Sequence, residues 1–374
     1  MIALLYYPIY LLIVTIVTLN LRKVYANRNG LSSYSEAPGT TNSILYFAIL
    51  LGIVIGIRPV QPVFGDMVNT VQSYNMLYQN TPFVFDFEAE NFLYDNILAL
   101  FGALDLGTEA FFTLMALIYY VGTFVGIRRM FPQNSKLAYF VFLAAFSTFS
   151  YSVNGVKAGS AAALFILALS YRNNLKVCIP LVLISWGFHH SMQLPVAAFF
   201  LTLFFKNPRL YFGAWCFCLL MAIAHVGAFQ SLFASMSNST GAGYLAGGTN
   251  DDVQMDQGGF RLDFIAYSAM PVLVGYYAIY KKKMHLSRFY SCLLNTYLCT
   301  NGVWMLCMYA QFTNRIAYLS WFLYPIVLIY PFLNEDWGPT RYKTLTKVFT
   351  YHLCFTLFME CVYYGSAFTF LKHL

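Results

Sequence analysis

The chain has 374 residues, of which 59% are hydrophobic, 19% aromatic and only 10% charged. Soluble domains carry about 25% charged residues, so this composition, with a mean hydropathy of +0.59, excludes an ordinary soluble enzyme and describes a membrane protein. The net charge of +7 arises from 22 Lys and Arg against 15 Asp and Glu, and the position of those cations is the informative part. The eight cysteines fall in apolar segments without metal-ligand spacing, which supports neither a disulfide framework nor a zinc site. Cys216 and Cys218 read simply as small core residues.

The first apolar run, 2–19, has no basic segment before it and no small-residue cleavage site after it. It therefore reads as a spanning helix rather than a signal peptide. Further runs follow at 44–57, 111–127, 137–149, 158–171, 177–188, 192–205, 210–229, 262–280, 289–309, 316–332 and 348–370. The expected fold is an all-α polytopic integral membrane protein, a single transmembrane domain over 1–374 with about twelve transmembrane helices.

Lysine and arginine set the orientation. Arg22, Lys23 and Arg28 follow the first run, which places that loop in the cytoplasm and the N-terminus outside. Alternation then brings Arg128, Arg129 and Lys136, Arg172 with Lys176, and Lys206 with Arg209 to the same side. Lys281, Lys282, Lys283 and Arg288 join them, as do Arg341, Lys343 and Lys347. Only Arg58, Lys157, Arg261, Arg315 and the terminal Lys372 fall outside. Four cations at outward helix ends, against so strong a bias, require either a function or a partner. The simplest partner for each is a local acid or a headgroup phosphate.

Two outward loops are long. Residues 59–106 carry Asp66, Asp86, Glu88, Glu90, Asp95 and Asp105 with no basic residue, and 92–106 reads as an interfacial or re-entrant helix. Residues 230–260 are Ser/Gly-rich with Asp251, Asp252 and Asp256, and read as a mobile flap over an external cavity. The glycosylation sequon at Asn238 is short enough to be a chance match.

The segment WGFHHSMQLP (186–195) sets two adjacent histidines in an apolar run. From Lys176, at the inner boundary, to His189 is about 20 Å of helix, against a hydrocarbon core about 30 Å thick. The same arithmetic between Lys157 and Arg172 gives about 23 Å. Polar groups at that depth survive only beside a water-filled cavity or a partner, so an outward-opening pocket is expected. Neighbouring helical residues point about 100° apart, so His189 and His190 cannot easily share a metal ion. One should face the pocket while the other packs or bonds a neighbouring backbone. Gln193, Leu194 and Pro195 stand where an acid would complete a His/Asp acyltransferase pattern.

Other constellations lie at the same outer face. GGFRLDF (258–264) puts Arg261 and Asp263 at a helix start, either as a salt-bridged start or with Arg261 reserved for a ligand phosphate. QFTNRIAYLSWFLYP (311–325) does the same for Arg315 near Tyr318. FSYSVNGVKAGSAAALF (149–165) places Lys157 in the first turn of a small-residue helix suited to close packing or lipid access. GIRPVQPVFGDMVNTVQSYNMLY (56–78) adds Arg58, Asp66 and Tyr74.

In this order the motifs resemble the EpsG-type membrane proteins of bacterial exopolysaccharide and O-antigen synthesis, which belong with the Wzy class of polysaccharide polymerases. The likeness comprises Arg58, Gly65, Asp66 and Tyr74, then AENFLYDNIL (89–98) with Glu90, then Asn154, Gly155 and Lys157. It continues through His189 and Ser191 and ends with FRLDF and NRIAY. Lys157 stands where the family usually has arginine, keeping the charge but losing bidentate geometry, and the Gly-Asp pair is more compact than the usual small-x-Asp form.

The resemblance implies a GT-C-like membrane glycosyltransferase architecture in the bacterial inner membrane, with its active site facing the periplasm or cell exterior. The implied reaction moves a glycan from undecaprenyl pyrophosphate to a sugar hydroxyl of another lipid-linked repeat unit, with no cofactor and no metal. The implied partners are the lipid-linked donor and acceptor, membrane lipid, a chain-length regulator and a flippase, and no nucleic acid. The residues suit that chemistry. A pyrophosphate leaving group needs fixed cations, and Arg58, Arg261 and Arg315 supply them with Lys157. Asp263, Tyr74, Tyr318, Glu90 and Asn154 complete the substrate-binding set. The acceptor hydroxyl needs a base, His189 or Asp66; His189 is favoured because a partly desolvated imidazole stays neutral at physiological pH, with His190 as packing. Three other readings compete: a polysaccharide ligase, a lipid-linked oligosaccharide flippase and a membrane O-acyltransferase. A flippase should show two-fold internal repeats, which the chain lacks, and an acyltransferase draws its donor from the cytoplasmic side.

Overall fold

The computed structural model describes residues 2–26, 40–236, 245 and 259–364. Arg28, the Asn238 sequon, Asp251, Asp252, Asp256, Gly258, Lys372 and most of the flap expected over 230–260 lie outside the described residues. Among the described residues each apolar run is largely helical, and no strand occurs there. In chain order the helices are α1 (Ile2–Ala26), α2 (Thr40–Gly56), α3 (Met67–Ser73), α4 (Phe92–Ala103), α5 (Gly107–Met130) and α6 (Ser135–Leu143). Next come α7 (Phe146–Val153), α8 (Val156–Ser170), α9 (Leu175–Phe188), α10 (Gln193–Phe204), α11 (Pro208–Ile223) and α12 (Ala228–Met236). The last are α13 (Leu262–Tyr276), α14 (Arg288–Leu306), α15 (Thr313–Trp321), α16 (Tyr324–Asn334) and α17 (Arg341–Tyr364).

Fewer helices qualify as spans than expected. Among the described residues, four stretches are long and apolar enough to cross a membrane: α1 from Leu5, α5, α13 with its continuation to Lys281, and α15 running into α16. Two bent pairs, α6 with α7 at 72° and α11 with α12 at 108°, raise the number to six if each counts as one span. Five shorter apolar helices of 10–17 residues stand beside these, so the described residues support four to six spans of full length rather than the expected twelve or so. The apolar runs between 137 and 205 are cut into short helices, and α14 and α17 carry polar side chains along their length. The helix expected after residue 92 is present as α4.

The described chain forms two compact units. The first comprises residues 1–193, 332–334 and 338–374. In it α5 packs against both α2 and α8, α8 packs against α9, and α1 lies beside α17 and α6. The break between α6 and α7 is built rather than accidental. In the last turn of α6 the Val141 and Leu143 carbonyls lose their helical partners, while Phe142 O keeps the Ala145 N–H at 3.0 Å. Tyr10 on α1 donates its hydroxyl to Leu143 O at 2.7 Å, Thr148 on α7 donates to Phe142 O at 2.6 Å, and His352 on α17 bonds Val141 O at 3.1 Å. Side chains from three helices thus satisfy the broken end.

The second unit comprises residues 194–331 and 335–337 and is organised around Asn301 on α14. The Asn301 amide oxygen accepts from Trp215 Nε1 at 2.9 Å, and its nitrogen donates to Ser268 Oγ at 3.1 Å and Ser320 Oγ at 3.0 Å. Trp321 Nε1 also donates to Ser268 Oγ, at 2.7 Å, so one buried network joins α11, α13, α14 and α15. Asn301→Leu keeps the volume but orphans the Trp215 N–H, and each orphaned buried polar group costs about 1–3 kcal/mol. A lowered thermal midpoint of the purified protein is the expected result; an unchanged midpoint would mean the network contributes nothing to stability.

Candidate functional site

The polar groups of the first unit connect into a continuous chain from Arg58 to the histidines. Arg58 follows α2 and is only 1% exposed. Its Nη1 donates to Ile55 O at 2.8 Å and its Nη2 to Val153 O at 2.9 Å, with Phe64 and Phe112 rings at 5.4 and 5.3 Å. The guanidinium is thereby committed to the backbone beside Asn154. The Gly-Asp and Asn-Gly motifs meet there, because the Asp66 N–H donates to Asn154 Oδ1 at 3.1 Å. Gly65 makes this approach with φ +58 and ψ −115, and a Cβ on it would stand 2.1 Å from that oxygen. Asp66 precedes α3, where the Thr70 hydroxyl donates to Asp66 O at 3.2 Å and lies 3.5 Å from Tyr94 OH.

Tyr94 leads into the centre of the cluster. The Lys157 ammonium lies 5.1 Å from the Tyr94 ring and 3.8 Å from Asp95 Oδ1. Asp95, in the first turn of α4, accepts the Asn91 N–H at 3.0 Å. Asn91 is the residue that starts α4, and its side chain makes no capping bond. Instead its Oδ1 faces both histidines, 2.8 Å from His189 Nδ1 and 3.3 Å from His190 Nδ1. An amide oxygen only accepts, so each Nδ1 carries the proton and each Nε2 is left as the acceptor. His190 Nε2 sits 3.4 Å from Ser191 Oγ, and its Nδ1 lies 3.8 Å from Glu90 Oε1. In the turn joining α9 to α10, burial lowers the His190 pKa from its usual value; Glu90 and Asp95 oppose this and Lys157 reinforces it.

The geometry revises the reasoning about the histidine pair. α9 ends at Phe188, and His189 has extended backbone, φ −154 and ψ 119. The two side chains therefore do not diverge as helical neighbours do, and both rings, 4.9 Å apart, point to one amide. Asn91 was not singled out in the sequence. The signal available for it was an Asn at a helix start with an acid in the following turn, a pattern that normally denotes only capping.

The remaining candidates are placed as follows. Tyr74 is buried and its hydroxyl accepts the Gly107 N–H at 3.2 Å, while Glu90 is exposed beside the cluster. In the second unit Arg261 forms a two-pronged pair with Asp263, at 3.1 and 3.0 Å, and lies 3.6 Å from the Phe264 ring. Arg315 is exposed in the first turn of α15, with its guanidinium 5.1 Å from the Phe312 ring, and Tyr318 is buried one turn on. Of the four outward cations, Lys157 and Arg261 have the local acids expected, whereas Arg58 is held by backbone carbonyls instead.

An all-helical, strongly apolar chain with its polar cluster at helix ends is a polytopic membrane protein. Residues 43–373 match the model of the EpsG family, and the chain belongs to that family. It is therefore a polysaccharide polymerase-like membrane protein, of the group that acts in exopolysaccharide and O-antigen synthesis. No curated protein and no solved structure shows a significant match to it.

Proposed function

We propose that the protein is a repeat-unit polymerase of GT-C-like architecture, transferring a glycan from undecaprenyl pyrophosphate to the sugar hydroxyl of another lipid-linked unit at the outer face of the inner membrane. The observation that carries this reading is the convergence of both histidines on Asn91, next to the Lys157–Asp95 pair. With Nδ1 held as a donor, His189 Nε2 is a base for the acceptor hydroxyl, aligned before substrate arrives. His190, engaged by Asn91 and Ser191, is assigned as a support for the pair. The proton leaves the attacking oxygen for Nε2, the glycosidic bond forms at the anomeric carbon, and the bond to pyrophosphate breaks.

Lys157, within reach of Asp95, is assigned to a phosphate of a lipid-linked substrate, as are Arg261 and Arg315 of the second unit. Arg58 is assigned a positioning role, because its donors already hold the carbonyl preceding Asn154. Asp66, Asn154 and Glu90 are assigned to sugar hydroxyls, with Asp66 as the alternative base. Arg315→Lys keeps the charge but loses the planar fork, so it is expected to lose at least about tenfold in polymer yield while inserting normally. Full-length polymer at wild-type amount would remove Arg315 from phosphate binding.

The reaction itself is tested with purified protein in liposomes, supplied with lipid-linked repeat units alone. A ladder of longer glycans on lipid is expected. Unchanged monomer, with the units accessible on the correct side, would overturn the polymerase reading in favour of a flippase or acyltransferase.

A further inference from the structure

The face of α17 that turns into the first unit carries a polar file that the proposed reaction does not use. His352, Thr356 and Glu360 follow at four-residue spacing, and all three are buried, Glu360 at 2% exposure. α17 packs against α1 and α7, and Arg22 Nε on α1 donates to Thr350 Oγ1 at 2.6 Å, which fixes the two helices side by side. α1, α6 and α7 contain no Asp or Glu. Their titratable groups are Tyr6, Tyr7, Tyr10, Arg22, Lys23 and Tyr25 on α1, Lys136 and Tyr139 on α6, and Tyr151 on α7. Arg22 engages α17 at Thr350, about 15 Å along the axis from Glu360. Among the described residues no cation forms an ion pair with Glu360, and its Oε2 has no hydrogen-bond partner.

An isolated carboxylate at such a position carries a large desolvation penalty, and none of the described cations offsets it, so a proton or another bound cation must neutralise it. Thr356 provides an independent pointer. Two other threonines of the same helix satisfy their hydroxyls on the carbonyl one turn back, Thr346 on Tyr342 O at 2.9 Å and Thr350 on Thr346 O at 2.7 Å. Thr356 makes no such bond, and its buried Oγ1 has no partner among the described residues. Side chains four apart on a helix have Cβ atoms about 5–6 Å from each other, a gap that one small ion or its water bridges. We propose that Glu360 and Thr356 form a buried binding site for a monovalent cation, a proton or an alkali ion, reached along the face that carries His352. His352 suits an entry path: its Nε2 must donate to Val141 O, which leaves Nδ1 as the acceptor on that file. The site lies toward the end of α17 away from Arg341, Lys343 and Lys347.

The test is modification of Glu360 by the apolar reagent dicyclohexylcarbodiimide, with the full chain in membrane vesicles and the adduct located by peptide mass. Carbodiimides attack protonated carboxyls, so labelling reports what occupies the site. Labelling at Glu360, faster than with a water-soluble carbodiimide and absent from E360Q, is expected. If the occupant is a proton, the rate falls about tenfold per pH unit above the midpoint and ignores sodium. If it is an alkali ion, sodium chloride at fixed pH suppresses labelling at least about tenfold while choline chloride does not. T356V should leave Glu360 reactive but shift the midpoint or weaken the sodium protection. A rate indifferent to both pH and sodium overturns the proposal, as does equal labelling by the water-soluble reagent or no labelling under any condition.

Discussion

His189→Ala is expected to abolish polymer formation while the protein accumulates and inserts at wild-type levels. A positioned general base contributes about 10²–10⁴-fold, and that is the loss to be read in initial rates of ladder formation. Asn91→Ala separates catalysis from packing. It leaves the imidazole in place but removes the acceptor that fixes its Nδ1–H, so kcat should fall about 10–100-fold with little change in KM. Asn91→Asp has a signed consequence. A carboxylate against the rings favours the imidazolium, so the pKa rises and the basic form appears only at higher pH. The acid limb of the rate profile should then move upward by about one unit. Full polymer from His189→Ala would transfer the base role to Asp66; an unmoved limb in Asn91→Asp would mean that Asn91 does not govern the titration of the pair.

Gly65→Ala should be the most damaging small substitution in the first unit. Two costs coincide: backbone at φ +58 and ψ −115 that L residues rarely adopt, and a Cβ 2.1 Å from Asn154 Oδ1. Strain of this kind costs about 1–3 kcal/mol, and losing the Asp66 N–H bond to Asn154 adds about 1 kcal/mol. Gly107→Ala is the control. Gly107 also has positive φ, +74, but a Cβ there meets nothing within 4 Å. Activity should fall much further in Gly65→Ala than in Gly107→Ala, and the thermal midpoint should follow the same order. Equal effects would show that the contact between the two motifs is not what Gly65 is there for.

Much of this architecture was legible in the sequence because hydropathy and charge act locally. The start of α13 with Arg261 and Asp263 paired in its first turn, and the short α9 ending at the histidines, follow from adjacent residues alone. The breaks were not legible. Nothing in the Leu-Ala-Ala-Phe stretch at 143–146 interrupts an apolar run, since the bend depends on distant Tyr10 and His352 satisfying its carbonyls. The bend after α11 likewise depends on His225, at φ +52, stacked 3.7 Å from Tyr309. Arg58 looked available for a phosphate because sequence reports charge but not burial. Asn91 stayed hidden because a helix-starting Asn is common, and only the return of α9 beside α4 gives it two imidazoles to hold.

The shortness of α9 has a consequence for the surrounding lipid. Its 14 residues reach about 21 Å, and Leu175, Ile179, Leu183 and Trp186 form an exposed stripe along it. Acyl chains meeting that stripe face a hydrophobic height well below the roughly 30 Å of an unperturbed bilayer. Thinning of the leaflets is one way to meet such a mismatch, which costs fractions of a kcal/mol per Å. A pinch of this kind draws headgroups down toward the end of α9, where His189 begins. In the proposed reaction, such a pinch would shorten the distance a lipid-borne phosphate has to be lowered, by deforming the solvent rather than by moving helices.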